Sequence, residues 1–127
     1  MAVYEISVEG EFHASHSLPL PASGREEPHE HLWKVTATFR SDRLSGQMDV
    51  VIDFVAARAA IEKIAGQLDG CDLNSMAAFA HGKPSAERVA EYLAERLLEV
   101  MSEADKLYRV SVTEAAGCSA AYYPGKP

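Results

Sequence analysis

Two stretches of the chain alternate in polarity with a period of two, and this alternation constrains the fold more than any other feature. From Tyr4 the even positions Tyr4, Ile6, Val8, Gly10, Phe12, Ala14 and His16 are mostly apolar, whereas Glu5, Ser7, Glu9 and Glu11 between them are polar. Successive side chains of a strand point to opposite faces, so the pattern predicts a strand with one face turned to a core. The second stretch begins at about His29 and sets His31, Trp33, Val35, Ala37 and Phe39 against Lys34, Thr36, Thr38 and Arg40. Between the two, Leu18 to Pro28 holds Pro19, Pro21, Gly24 and Pro28 and reads as an exposed loop.

A turn over Ser41 to Gly46 predicts a hairpin into a third strand, Met48 to Ile52. Asp53 is placed to cap a helix whose apolar positions Phe54, Ala57, Ile61, Ile64 and Leu68 are spaced by three and four, and which ends near Gly70. After a loop containing Gly82 and Pro84, Ser85 caps a second helix with Val89, Leu93, Leu97 and Val100 on its apolar stripe. Tyr108, Val110, Val112 and Glu114 then alternate with Arg109, Ser111 and Thr113, and a short strand follows around Ala120 to Tyr123. This order predicts an α+β fold, an antiparallel sheet with two helices on one face. A length of 127 residues suits one domain spanning residues 1–127. Edge strands of so small a sheet are usually covered or paired, which predicts association through the sheet.

Charge narrows the partners. The chain carries 12 basic and 19 acidic residues, a net −7, with no stripe of lysine or arginine, so nucleic acid is not expected as a partner. Glu5, Glu9 and Glu11 interrupt the first strand, and no apolar run approaches the roughly 20 residues of a membrane span. No membrane partner is expected, and the expected location is the cytoplasm. Two cysteines, Cys71 and Cys118, lack the number for a disulfide framework and the spacing of a cysteine zinc site.

Ionisable residues stand where the strand pattern calls for apolar ones. His16 closes the inner face of the first strand, and His29 and His31 share a face at the start of the second. Neutral imidazoles in this number, with a further position open, are a common way to hold a catalytic zinc; hydrogen bonding at strand ends is the plainer use of the same residues. Glu114 ends a buried face, and a buried carboxylate needs hydrogen-bonded partners. Either a salt bridge or an amino-heterocycle with two adjacent N–H donors meets that need. His13 and His81 fall off these faces and read as surface or loop residues able to carry protons, and Trp33 reads as core or as a stacking surface.

Several motifs stand in register: Phe12-His13-Ala14-Ser15-His16, His29-Glu30-His31, Gly46 to Asp53-Phe54, Leu68-Asp69 with Leu73-Asn74, Pro84-Ser85-Ala86-Glu87, and Val112-Thr113-Glu114. Together they resemble the 6-pyruvoyl-tetrahydropterin synthase and 6-carboxy-tetrahydropterin synthase family over nearly the whole chain. The resemblance implies a tunnelling fold, in which the sheets of several copies join into a barrel, as a trimer or a dimer of trimers. It implies zinc as cofactor with His16, His29 and His31 as ligands. It also implies a pterin-like small molecule as ligand, bound through the final motif, Thr113 and Glu114, with Glu114 gripping the ring.

The chain departs from that pattern where protons are handled. Arg25 stands at the position of the family's cysteine, Gly70 follows Asp69 where a histidine is expected, and Glu30 replaces the glycine between the paired histidines. Substitute acids or bases are to be sought among Glu26, Glu27, Asp69, Cys71 and His81. Two functions follow: a zinc-dependent lyase acting on 7,8-dihydroneopterin triphosphate or a related pterin with altered catalytic residues, or a binder of a pterin or similar bicyclic heterocycle without turnover. A triphosphate needs local cations, for which Arg25, Lys34 and Lys83 are candidates.

Overall fold

The alternating stretches form two long strands, β1 (Tyr4–His16) and β2 (His29–Ser41), paired antiparallel from Tyr4 opposite Ser41 to His16 opposite His29. Cross-strand neighbours share a face, so the apolar positions of the two strands merge into one surface. Phe12 and Trp33 stack there with ring centroids 6.0 Å apart, and the Trp33 indole donates to the Ala14 carbonyl at 3.1 Å. The computed structural model describes residues 2–81 and 83–125; Gly82, expected in the loop before the second helix, lies outside the described residues.

Helix α1 (Phe54–Leu68) starts where the Asp53 carboxylate accepts the Val55 N–H at 2.9 Å, and helix α2 (Ala86–Val100) starts where the Ser85 hydroxyl accepts the Arg88 N–H at 3.2 Å. Between the helices lies a two-residue strand, β3 (Cys71–Asp72), and after α2 come β4 (Leu107–Ala115) and β5 (Cys118–Tyr122). The sheet order is β3-β1-β2-β4-β5. Helix α1 packs on β1, α2 packs on β4 and β5, and Ala57, Ile61, Ile64, Val89, Leu93 and Leu97 join Val8, Phe12, Val35 and Val110 in one core. Gly10 permits this packing, because the Ile61 side chain occupies the space a Cβ there would need.

Four expectations are corrected. Met48 to Ile52 is not a strand. Both edges of β2 are already taken by β1 and β4, so the segment closes on itself through paired Ser45 and Val50 hydrogen bonds, with Gly46 and Asp49 at positive φ. The sheet is mixed rather than antiparallel, because β3 runs parallel to β1 at Ala14 and Ser15. Tyr108 does not face the core: an extra residue in β4 opposite Thr38 and Phe39 puts Leu107 inward and leaves Tyr108 outside, under the Arg40 guanidinium. Phe54 and Val100, assigned to apolar stripes, are exposed at the outer ends of their helices.

Candidate metal centre

The register of β1 and β2 makes His16 and His29 direct neighbours, and His31 lies one side-chain step along the same face of β2. Their rings meet edge to face, with centroids 4.6 Å apart for His16 and His29, 4.6 Å for His29 and His31, and 5.4 Å for His16 and His31. Glu114 arrives from β4. It is an unpaired extra residue between the Thr113–Ser119 and Ala115–Cys118 pairs, and such bulges re-aim a side chain. Donor atoms of His16, His29, His31 and Glu114 all lie within 4.8 Å of one another.

Hydrogen bonds to main-chain carbonyls set the tautomers. A carbonyl can only accept, so His16 Nδ1 donates to Pro84 at 2.8 Å and His29 Nδ1 donates to Glu27 at 3.1 Å. In the neutral ring Nε2 then carries the lone pair, the form that ligates a metal. His16 is 1% exposed, and its Nε2 has no hydrogen-bond partner although Glu114 Oε1 lies 2.6 Å away. With only Nδ1 protonated, lone pair faces lone pair across that short distance. Two such acceptors, one on buried His16 and one on the partly exposed Glu114, repel unless a metal ion or a proton on Nε2 lies between them.

His31 Nε2 stands 3.3 Å from the same Glu114 oxygen. Burial pushes the His31 imidazole below its ordinary pKa, with His29 and His16 adding to the push and Glu114 and Glu26 opposing it. His31 is thereby held in the neutral state that ligation needs. Imidazoles with a carboxylate alongside suit zinc, whose ligands are nitrogen, sulfur and carboxylate oxygen in a tetrahedral set. The donor set thus fits the ion, and the carboxylate offsets part of its charge.

The other expected site residues scatter. Glu26 turns its carboxylate to the Leu18 N–H at 3.0 Å, although its charge still reaches His31. Glu27 serves through its carbonyl alone. Asp69 accepts the His13 N–H at 2.8 Å beyond the end of α1. Cys71 donates to the Gln67 carbonyl at 3.4 Å, and His81 Nδ1 accepts the Lys83 N–H at 3.1 Å within its own turn. Thr113 pairs with Lys34 and shares its side of the sheet, opposite the inward-facing Val112. Arg25 donates to the Ser17 carbonyl at 2.8 Å and helps to fold the loop.

Glu114 stands inside the histidine group, beside His16 and His31, a position the strand pattern alone did not foretell. The role of Pro84 was not foreseen either. Its carbonyl precedes the Ser85 cap, so the start of α2 orients His16, and a proline just before a cap residue is the one sequence signal for it.

The described residues match a known family. The sequence model described as 6-pyruvoyl tetrahydropterin synthase matches residues 5–125. No match is found among curated proteins. Among solved structures, the Caenorhabditis elegans 6-pyruvoyl tetrahydropterin synthase superposes with a TM-score of 0.86 at 20% identity, covering 98% of each chain. The Plasmodium vivax synthase gives 0.72 at 20% identity over 96% of this chain and 98% of that one. An uncharacterised protein from Wolinella succinogenes gives 0.72 at 16% identity over 98% and 99%. At these identities the superpositions show a shared fold, the tunnelling fold.

Proposed function

The chain belongs to the 6-pyruvoyl tetrahydropterin synthase family, and from that premise we propose that it is a zinc-dependent lyase for 7,8-dihydroneopterin triphosphate or a closely related pterin. The observation that carries the reading is the His16, His29, His31 and Glu114 group, with its carbonyl-locked tautomers and its buried Nε2 lacking a hydrogen bond. A zinc ion held there supplies Lewis acidity to the oxygens of a ligand's side chain.

The chain's own residues do the rest by positioning. Pro84 and Glu27 hold His16 and His29 in their ligating tautomers, and Trp33, fully buried behind His16 and His31, backs the rings. Glu114 contributes its negative charge to the centre, 2.6 Å from His16 and 3.3 Å from His31, and stays the residue placed to meet the N–H groups of a ring. Assembly completes the molecule: β5 ends one side of the sheet and β3 covers only Ala14 and Ser15 of β1 on the other, so both edges offer backbone groups for a neighbouring copy. A trimer or a dimer of trimers is the form this reading takes.

The test is incubation of zinc-loaded protein with 7,8-dihydroneopterin triphosphate, following released triphosphate and the pterin spectrum. Triphosphate release that disappears in His29→Gln supports the lyase. Tight pterin binding without release makes the protein a binder, and zinc-loaded protein with no affinity for any pterin contradicts the proposal.

A further inference from the structure

A lyase must carry protons, and the residues of the metal centre are committed to holding the ion. Of the five histidines in the chain, His16, His29 and His31 belong to that centre and His81 is held by its own turn. His13 is held differently. Its N–H donates to Asp69 Oδ1 at 2.8 Å, its carbonyl accepts the Gly70 N–H at 2.7 Å, and its Nδ1 stands 3.6 Å from the same Asp69 oxygen. Gly70 turns with φ +80, a conformation side chains disfavour, and this turn brings the Asp69 carboxylate back beside β1.

At 3.6 Å the pair is close rather than hydrogen-bonded, and a small rotation of the exposed imidazole closes it into the carboxylate–imidazole arrangement that orients a general base. The pair borders a cleft of about 480 Å³ with Phe12, Leu32, Glu62 and Ala65 among its walls. On β1 the odd positions face away from the even ones, so within one chain the sheet stands between His13 and the histidine centre. Yet His13 lies at the end of the open stretch of the β1 edge, because β3 pairs only at Ala14 and Ser15.

Resting on the pterin reading above, we propose that His13, oriented by Asp69, is the proton carrier of the reaction and acts on a pterin held at the metal centre of a second copy of the chain. In the lyase step the His13 imidazole takes the proton from the carbon next to the one bearing the triphosphate. The C–H electron pair becomes the new C=C bond, the C–O bond breaks, and triphosphate leaves with that bond's electrons. The proton passes from the imidazolium to water.

Two readouts test this. The first needs no turnover: modification of His13 by diethyl pyrocarbonate, measured by peptide mass spectrometry with and without saturating 7,8-dihydroneopterin on the zinc-loaded protein. The expected result is a slowing of His13 modification by about fivefold or more, as contact with a bound ligand excludes the reagent. An unchanged rate while fluorescence titration shows the pterin bound overturns the proposal. If the wild type binds no pterin, the reading on which it rests fails with it, and the titration identifies that failure.

The second readout mixes copies. His13→Gln is expected to keep wild-type zinc content while losing about 10²- to 10⁴-fold in turnover. Full turnover in that variant, or loss of its zinc, overturns the assignment. His13→Gln and His29→Gln chains refolded together are expected to recover about a quarter of wild-type turnover, the share of intact sites in a random assembly. No recovery from two inactive variants overturns the second-copy arrangement.

Discussion

His16 donates from Nδ1 to the Pro84 carbonyl and sets its buried Nε2 against the Glu114 carboxylate, so that nitrogen is satisfied by a cation, whether a metal ion or a proton. His16 is therefore prepared to bind a cation. His29 is similarly oriented by Glu27 and is less buried, which makes it the better residue to change. His29→Gln is expected to weaken zinc binding by more than the roughly 10–100-fold typical of losing an outer partner, with little change in melting temperature of the metal-free protein. Competition titration with a zinc chelator measures it. The lowered pKa of His31 has a pH consequence of definite sign in the metal-free protein. Its neutral form is favoured by folding, so its stabilising contribution is present above the unfolded-state pKa and is lost as pH falls through the lower folded-state value. Denaturant unfolding from neutral to mildly acidic pH is expected to show stability falling on acidification, with a shallower fall in His31→Asn.

At the scale of elements, the site depends on how helices are started and where strands are irregular. Ser85→Ala removes the cap of α2, which is expected to cost about 0.5–2 kcal/mol, and it loosens the backbone next to the Pro84 carbonyl. Zinc affinity is expected to fall by about tenfold in the same variant, and equal affinity contradicts the link between α2 and His16. Gly10→Val puts side-chain atoms where Ile61 already sits and is expected to destabilise by about 1–3 kcal/mol in chemical denaturation.

The same elements show what was legible in the sequence. β1, β2 and both helix caps were readable because their signals are local: alternation in polarity, and Asp53 or Ser85 before an apolar stripe. The bent segment at Met48 to Ile52 looks apolar enough for a strand, but no edge of β2 remains to pair it, which is a non-local fact. The two residues of β3, the outward turn of Tyr108 and the placement of Glu114 by a bulge likewise depend on register between distant strands. The convergence of His16, His29 and His31 was legible because their spacing on two paired strands is enough to bring them together.

For the whole molecule, the sheet is the surface on which the proposed assembly rests. Helices cover one face, while the other presents Glu9, Glu11, Lys34 and Thr36 to a cleft of about 440 Å³. Burying the open edges of β1 and β5 in neighbouring copies predicts a trimer or its multiple in sedimentation at micromolar concentration, and a monomer there contradicts the assembly reading. The central claim, that β1, β2 and β4 together build a metal centre, is tested most directly by elemental analysis of protein purified without an affinity tag or chelator and then supplied with zinc. Such a centre predicts about one zinc per chain in the wild type and a clear loss in His29→Gln. No bound metal in the wild type after zinc is supplied would contradict it.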